Sequence, residues 1–351
     1  MTTGAKADLY YGASGTLKTS NIGKAALWAY KRFGKPTRLV SADGGGWQPI
    51  ESLVESGIVI PWMLRDRANL IECVDKACKG YWPADPENPH SQLLSPFIIQ
   101  YSGTCPKCGD EMVSSKPQQQ VPCTKCKTIT TFTMKRGVNP SNDLSKVAMI
   151  AYEGLTSFGD AMMSHLQATK ASLSQDPSYV WKDGETEYAG GNMTYYGFIQ
   201  QRICEFVAST NSLPVEKIIW TALESKGEDE VTKSPIMGPA IVGKKSTGKA
   251  GAWFGNMLHF EAVMTGGTAE ADPKVKSEAA LVPITTEFRM YLRPHAEALT
   301  RIMFPAKTRA PFQFATELGA YDVADVGKLY DKIDELQKRA TEQVMTLTTN
   351  K

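Results

Sequence analysis

The sequence contains no run of about 18 apolar residues, the length that a membrane-spanning helix requires, so we expect no membrane association. Its first residues, MTTGAKADLYYG, lack the basic-then-apolar pattern of a secretory signal, which predicts a cytoplasmic protein. The sequence also lacks a large excess of either charge: it has 39 Lys and Arg residues and 37 Asp and Glu residues, for a formal net charge of +2. This balance excludes a polybasic tail but allows a local basic groove.

The composition is otherwise that of a folded protein with a sizeable core. The 351 residues are 42% hydrophobic and 22% charged, which excludes wholesale disorder and indicates two domains or one large domain with insertions. The first segment predicts a strand (Ala7–Tyr11), a helix (Ser20–Phe33) and a second strand (Thr37–Ala42). This strand–helix–strand order predicts a parallel sheet in an α/β fold.

A glycine-rich loop follows the first predicted strand. A phosphate-binding loop needs inward-facing backbone N–H groups, glycines that permit the turn, a lysine that reaches the terminal phosphates and a hydroxyl for Mg²⁺. Gly12, Gly15, Lys18 and Thr19 stand at this spacing, whereas Leu17 replaces the glycine that usually precedes the lysine. The alternative is an ordinary glycine-rich turn with a chance Lys-Thr pair. We predict that a nucleotide binds the entire loop, which comprises Gly12, Ala13, Ser14, Gly15, Thr16, Leu17, Lys18, Thr19 and Ser20.

Two carboxylates follow apolar strands and are candidates for catalysis beside Lys18. A P-loop ATPase needs an acidic residue that holds Mg²⁺ and a carboxylate that orients the attacking water. Glu153 ends the strand VAMIAYE, and we predict that it binds Mg²⁺ with Thr19, orients water, or does both. Asp43 ends the strand after the P-loop helix and is the other candidate. Its alternative role is that of a turn residue before three glycines.

Four of the seven cysteines form two CxxC pairs, Cys105 with Cys108 and Cys123 with Cys126. In a chain without a secretory signal, this pattern indicates metal ligands rather than disulfides. Four thiolates that leave no open position suit a structural Zn²⁺ in an inserted zinc ribbon, with an iron–sulfur site or unliganded thiols as alternatives. The remaining cysteines are expected to be packed thiols: Cys73, Cys78 and Cys204.

Basic residues surround these cysteine pairs. They are Lys107, Lys116, Lys125, Lys127, Lys135 and Arg136. The ribbon is therefore either purely structural or a contact for nucleic acid or protein.

The order of these motifs resembles that of the RecA-like recombinase ATPases, particularly the phage-encoded members of the P-loop superfamily. The P-loop, the strand that ends before Asp43 and the strand that ends at Glu153 follow one another as in that family. The strand IIWTALES, with Thr221 and Glu224, is similar to the family's sensor strand. The resemblance covers roughly residues 5–80 and 145–295, about two thirds of the chain. It implies a RecA-like P-loop NTPase core with a mostly parallel sheet flanked by helices.

The same resemblance implies a partner and an assembly. Residues Ser225–Ala250 are similar to the mobile loop with which the family contacts single-stranded DNA, and the loop's lysines are Lys226, Lys233, Lys244, Lys245 and Lys249. The nearby Trp253 and Phe254 either stack on an unpaired base or lie in the core. In a second interpretation, a cation reaches the γ-phosphate of a neighbouring subunit. The candidates for that role are Lys244, Lys245, Lys249, Arg289 and Arg293, although simple exposure also explains each arginine.

We thus predict one ATPase core made of residues 1–80 and 140–300, an inserted zinc ribbon at 93–136 and a C-terminal helical segment at 301–351. The expected function is Mg²⁺-dependent ATP binding and hydrolysis by a homo-oligomer that acts with single-stranded DNA in phage-type recombination or replication, in the host cytoplasm if the protein is phage-encoded. The alternative is a nucleotide-gated scaffold for DNA or protein, such as an assembly or packaging accessory, that hydrolyses little.

Overall fold

The structure is a computed structural model that describes residues 6–42, 47–64, 70–114, 120–170, 180–183, 186–189, 192–228, 234–241, 250–268, 281–297 and 300–349. The helices are α1 Lys18–Phe33, α2 Glu51–Glu55, α3 Leu70–Cys78, α4 Leu155–Lys170, α5 Asn192–Asn211 and α6 Val326–Thr349. Short 3₁₀ helices cover Gln48–Ile50, Pro140–Asn142, Leu144–Lys146 and Phe312–Glu317.

The strands belong to one large sheet and several small ones. They are β1 Ala7–Tyr11, β2 Thr37–Ser41, β3 Val59–Met63, β4 Trp82–Pro83, β5 Leu93–Leu94, β6 Phe97–Thr104, β7 Glu111–Ser114, β8 Gln120–Pro122, β9 Ile129–Thr131, β10 Thr133–Val138, β11 Met149–Glu153, β12 Val180–Asp183, β13 Thr186–Ala189, β14 Lys217–Ala222, β15 Glu224–Glu228, β16 Pro235–Pro239, β17 Met257–Thr268, β18 Leu281–Tyr291, β19 His295–Ala296, β20 Met303–Phe304 and β21 Tyr321–Val323.

The large sheet has the strand order β21-β18-β17-β1-β14-β11-β2-β3. The six strands from β17 to β3 run parallel, and β18 is antiparallel to both of its neighbours. Strand β1, which leads into the glycine-rich loop, is separated from β11 by β14. Because the carboxyl ends of parallel strands lie at one edge, the loops after β1, β2, β11 and β14 meet there.

The central strands β1, β2, β11 and β14 are almost entirely buried because helices cover both faces of the sheet. Leu9 and Tyr11 of β1 belong to a hydrophobic cluster that includes α3, α4 and α5. Tyr10 belongs to the cluster on the opposite face, with α1 and α6. The predicted fold class is therefore confirmed: a mostly parallel α/β sheet is flanked by helices and carries an inserted module with four cysteines. None of the helices in the described ranges has the length and apolarity needed to cross a bilayer.

The inserted module is a small β structure with its own core. Its sheet has the order β10-β6-β7, and β8 pairs with β9. Cys105, Met112, Cys123 and Phe132 form its buried cluster. The division of the chain at residues 93–136 stays a prediction.

Asn142 connects the segments on either side of this module to the large sheet through side-chain hydrogen bonds. The Asn142 side-chain amide donates to the carbonyl oxygens of Gly80 (3.0 Å) and Leu94 (2.7 Å). Its Oδ1 accepts from the guanidinium of Arg38 at 2.6 Å. Arg38 is 9% exposed and lies over the Trp82 ring, and burial lowers its pKa to about 10. These bonds fix where the module leaves the sheet.

Two expectations differ from the structure. The stretch Ser225–Ala250, expected to be a mobile loop, contains most of the antiparallel pair β15–β16, because backbone pairing and the neighbouring β20 outweigh its Lys and Gly content. The C-terminal segment holds strands β20 and β21 as well as helix α6, which begins at Val326.

Candidate functional site

The loop between β1 and α1 has the backbone of an anion cradle. Gly12 has φ +156°, and a Cβ there would lie 2.1 Å from the carbonyl oxygen of Phe260, so only glycine fits. Gly15 has φ +78°, which favours glycine. Leu17 also takes the left-handed conformation, with φ 64° and ψ 23°, directly before α1 begins. Leu17, which replaces the glycine that usually precedes the lysine, therefore has a backbone conformation that glycine adopts at lower energy.

Lys18 lies across the mouth of this loop. Its ammonium group donates to the carbonyl oxygens of Gly12 (2.9 Å) and Ala13 (2.6 Å). The Thr16 hydroxyl also donates to the Ala13 carbonyl oxygen, at 2.8 Å. The lysine is thus positioned over the concave side of the loop by acceptors that belong to the loop itself.

Thr19 and Glu153 meet at the base of the pocket. The Thr19 hydroxyl donates to Oε1 of Glu153 across the gap between α1 and β11. Glu153 is 4% exposed. The preceding Tyr152 points to the other side of the sheet, where its hydroxyl donates to the Ala77 carbonyl oxygen at 3.0 Å and its ring stacks on Trp220. The structure therefore brings Glu153, and not the neighbouring Tyr152, to the loop before α1.

The end of β14 completes the pocket between the P-loop and β11. The Thr221 hydroxyl accepts a 2.9 Å hydrogen bond from the backbone N–H of Gly154, which follows Glu153. The pocket has a volume of about 290 Å³. Its lining residues are Ser14, Gly15, Thr16, Leu17, Lys18, Thr19, Ser20, Pro49, Glu153, Gly154, Thr156, Ser157, Thr221, Ala222 and Leu223. Pro49, Thr156 and Ser157 were not predicted, because no motif marks them.

Glu224, predicted near a sensor position, pairs with a histidine instead. Its Oε2 lies 3.0 Å from Nε2 of His259, which is 1% exposed. The His259 ring contacts Tyr11, the residue before the P-loop, at 4.9 Å between centroids. His259 also stacks on His295 (5.1 Å). Sequence spacing gave no sign of this pair, because 35 residues separate its members.

Several predicted residues lie elsewhere or outside the described ranges. Asp43 and the lysines at 233, 244, 245 and 249 lie outside them, so their roles stay predictions. Phe254 is completely buried and Trp253 packs against the same core, which supports the core interpretation of these aromatics. Arg289 pairs with Glu287 at 2.8 Å, and Arg293 donates to the Ala315 and Leu318 carbonyl oxygens. Within the chain, both arginines are therefore held by local partners.

The four cysteines of the module converge as predicted. Their sulfur atoms all lie within 4.8 Å of one another. The Sγ–Sγ distances are 3.4 Å for Cys105 and Cys126, and 3.5 Å for Cys108 and Cys123. Four sulfurs at about 2.3 Å from one Zn²⁺ are about 3.8 Å apart, whereas a disulfide needs about 2.0 Å. The donor set therefore fits a single tetrahedral metal ion.

The two cysteine pairs have the same backbone geometry. The N–H of Gly109 donates to the Cys105 carbonyl oxygen, and the N–H of Lys127 donates to that of Cys123, each at 2.9 Å. Gly109 and Lys127 both have positive φ, 71° and 62°. A hydrogen bond from the Cys108 N–H lowers the pKa of the Cys105 thiol to about 6, which favours the thiolate that metals bind.

No protein-family profile and no curated protein matches this sequence. Among solved structures, the chain is similar to the crystal structure of the RadB recombinase, with 11% sequence identity and a TM-score of 0.33. The alignment covers 86% of this chain and 91% of that chain.

Proposed function

We propose that the protein is a Mg²⁺-dependent ATPase that binds nucleotide at the P-loop and acts with single-stranded DNA. The observation that carries this proposal is the contact between the Thr19 hydroxyl and the Glu153 carboxylate beside Lys18, inside the P-loop pocket. A helix N-terminus, a lysine, a hydroxyl and a carboxylate are the groups that nucleoside triphosphate chemistry requires.

The loop and Lys18 would hold the phosphates. The first N–H groups of an α-helix have no partner within the helix, so the start of α1, which lines the pocket, favours an anion. Lys18 now donates to the Gly12 and Ala13 carbonyl oxygens, and it would exchange these acceptors for phosphate oxygens. The exchange keeps the ammonium hydrogen-bonded in both states.

Thr19 and Glu153 would hold Mg²⁺, because hydroxyl and carboxylate oxygens are the hard ligands that this ion prefers. The bound ion would neutralise part of the phosphate charge. Among the described residues, Glu153 is the one carboxylate that lines the pocket, so it would also orient the attacking water unless Asp43 does so. The bond from the Gly154 N–H to Thr221 holds the end of β11 in place.

Two hydrogen bonds support coupling between nucleotide and DNA. The Thr156 hydroxyl, in the pocket lining, donates to the Ala240 carbonyl oxygen (2.7 Å) and accepts from the Leu223 N–H (3.0 Å). Ala240 follows β16 and lies within Ser225–Ala250, the stretch predicted to contact DNA, shortly before Lys244. A rearrangement at the phosphates would therefore reach that stretch through one side chain.

The test is ATP turnover with and without single-stranded DNA. We expect DNA to stimulate the wild type, Lys18→Ala to lose nucleotide binding and turnover, and Glu153→Gln to bind ATP but turn over at least about 100-fold more slowly. Lys31→Ala, an exposed lysine on the same helix, is the matched control and should behave as wild type. Turnover that is unaffected by Lys18→Ala would refute the proposal.

The second candidate is a nucleotide-gated scaffold with little hydrolysis. It is favoured by two observations: Glu153, the one carboxylate of the described pocket lining, is already bonded to Thr19, and Leu17 has a glycine-like backbone conformation. ATP-dependent oligomerisation on DNA without steady turnover would select this candidate. Robust DNA-stimulated turnover would eliminate it.

A further inference from the structure

The inserted module has one face that is unusually apolar for a surface. In the pairing of β6 with β10, Phe97 lies opposite Val138, Ile99 opposite Arg136 and Tyr101 opposite Met134. Because side chains alternate along strands, these six residues share one face of the sheet, here called the Met134 face. Ile99, Met134 and Val138 are 57%, 68% and 56% exposed.

Arg136 stands in the middle of this face. Its guanidinium carbon lies 3.6 Å from the centroid of the Phe97 ring, which fixes the guanidinium plane over the sheet. The residue is exposed and, among the described residues, forms no ion pair. A fixed, exposed guanidinium beside apolar side chains offers both a stacking plane and a charge.

The module that carries this face is cationic. Residues 97–138 contain the six Lys and Arg residues named above but only two carboxylates, Asp110 and Glu111. Asp110 is paired with Lys125 at 2.6 Å. Four thiolates with one Zn²⁺ would add a charge of about −2. They lie at the end of the face that Tyr101 occupies, since Tyr101 packs against the cysteine cluster, whereas Ile99 is six residues from Cys105 along the chain.

We propose that the Met134 face is a second contact for single-stranded DNA, with unpaired bases lying on Arg136, Ile99 and Met134 and phosphates facing the cations on that side of the sheet, which do not include Lys135. A sheet face with stacking planes and a basic surround suits unpaired bases without sequence readout. A protein partner fits less well, since lysine is depleted in protein interfaces. A duplex fits less well, because its bases are not open to a flat surface. The inference shares its DNA partner with the proposed function but assigns this partner a different module.

The test uses the full-length, zinc-loaded protein and a fluorescent oligodeoxythymidine of about 30 nucleotides, longer than the ~4–16 that one module covers. The variants are Ile99→Ser with Met134→Ser, and Arg136→Gln. Val113→Ser and Lys135→Gln are matched controls on the same sheet. Val113 is 65% exposed and pairs with Ser102, and Lys135 pairs with Gln100, so both lie on the opposite face. Zinc content and melting temperature check that each variant is folded.

We expect the double serine variant to weaken oligonucleotide binding at least about fivefold, with little change in its salt dependence. Arg136→Gln should weaken binding and also reduce the salt slope between about 50 mM and about 200 mM. The two controls should stay within about twofold of wild type, and binding to a duplex of the same length should respond equally little in every variant.

Equal single-strand affinity in the Met134-face variants and their controls would overturn the inference. Loss of self-association with unchanged DNA affinity would also overturn it and identify the face as a protein contact. Neither result touches the proposed ATPase, which is judged by Lys18→Ala. If Lys18→Ala does not change turnover while the face variants lose DNA binding, the DNA contact stands and the proposed ATPase fails.

Discussion

The hydroxyl of Tyr330 donates a 2.8 Å hydrogen bond to the carboxylate of Asp8, although 322 residues separate them in the chain. Asp8 is 1% exposed and lies in β1, four residues before Gly12. Its other partners are the Lys217 ammonium at 2.7 Å and the backbone and side-chain N–H groups of Asn256. A buried carboxylate is tolerated because every side of it is hydrogen-bonded. This hydrogen bond joins the C-terminal helix α6 to β1, the strand that leads into the glycine-rich loop.

Tyr330→Phe should lower the free energy of unfolding by about 1–3 kcal/mol, because it removes one donor from the buried Asp8 carboxylate and the hydroxyl partner of the buried Tyr10. The urea midpoint measures the change. Tyr30→Phe, on an exposed tyrosine, is the control and should have a small effect. Equal midpoints for both variants would show that the bond to Asp8 contributes nothing.

Leu17→Gly should raise stability by up to about 1 kcal/mol. A left-handed conformation costs a non-glycine residue about 1–2 kcal/mol, and the greater freedom of unfolded glycine offsets about 0.5–1 kcal/mol of the gain. Gly15→Ala is the reverse control, a glycine replaced at a positive φ (+78°) where nothing lies within 4 Å of the added Cβ. It should destabilise through the backbone alone. Thermal melts of both variants give the comparison, and a Leu17→Gly variant less stable than wild type contradicts this account.

The purified protein should contain one Zn²⁺ per chain, and Cys123→Ser should abolish it. Among the described residues, the buried cluster of the module consists of four side chains, two of them thiols, so the metal is expected to supply much of its stability. Chelation should therefore expose the amides of β6 and β10 to hydrogen exchange while those of β1 and β14 stay protected. Unchanged protection in β6 after complete zinc removal would contradict a structural role.

Acidification should destabilise the protein through His295. Burial, and then the charge of His259, lower the pKa of His295 to about 4, against about 6.5 in an unfolded chain. Between these values the unfolded chain binds more protons, so stability falls as the pH falls from about 6.5 to about 4. His295→Phe keeps the stacking on Tyr291 and Phe304 but cannot titrate. Its melting temperature should fall less over this range; parallel curves for the two proteins would exclude His295 as a cause.

Much of the core could be predicted because its signals are local. The apolar run Ala7–Tyr11, the glycines at 12 and 15 and the following helix are adjacent in sequence, and the structure places the strand at the predicted residues. The strand predicted within IIWTALES is likewise present as β14, Lys217–Ala222. The convergence of the four cysteines followed from two spacings of three residues, because each CxxC pair constrains its own geometry.

What could not be predicted depends on contacts between distant segments. The pairing of β15 with β16 is set by cross-strand hydrogen bonds in a Lys- and Gly-containing stretch whose composition favours a loop. The Glu224–His259 pair and the bond from Gly154 to Thr221 join residues on different strands, and no pattern within either strand marks them. The left-handed backbone of Leu17 likewise follows from the turn into α1, which composition does not reveal.

The hydrogen bonds at the root of the inserted module have a topological consequence. The backbone N–H of Asn139 donates to the Pro96 carbonyl oxygen at 3.0 Å, and its side-chain amide donates to that of Ser95 at 2.7 Å. The chain thus leaves the sheet and returns to it at adjoining points. A short turn could therefore join Pro96 to Asn139 in the absence of the intervening residues. The entropic cost of closing the longer segment between them grows only slowly with its length. The inserted four-cysteine module could therefore be deleted, replaced or enlarged without changing the path of the strands that form the pocket.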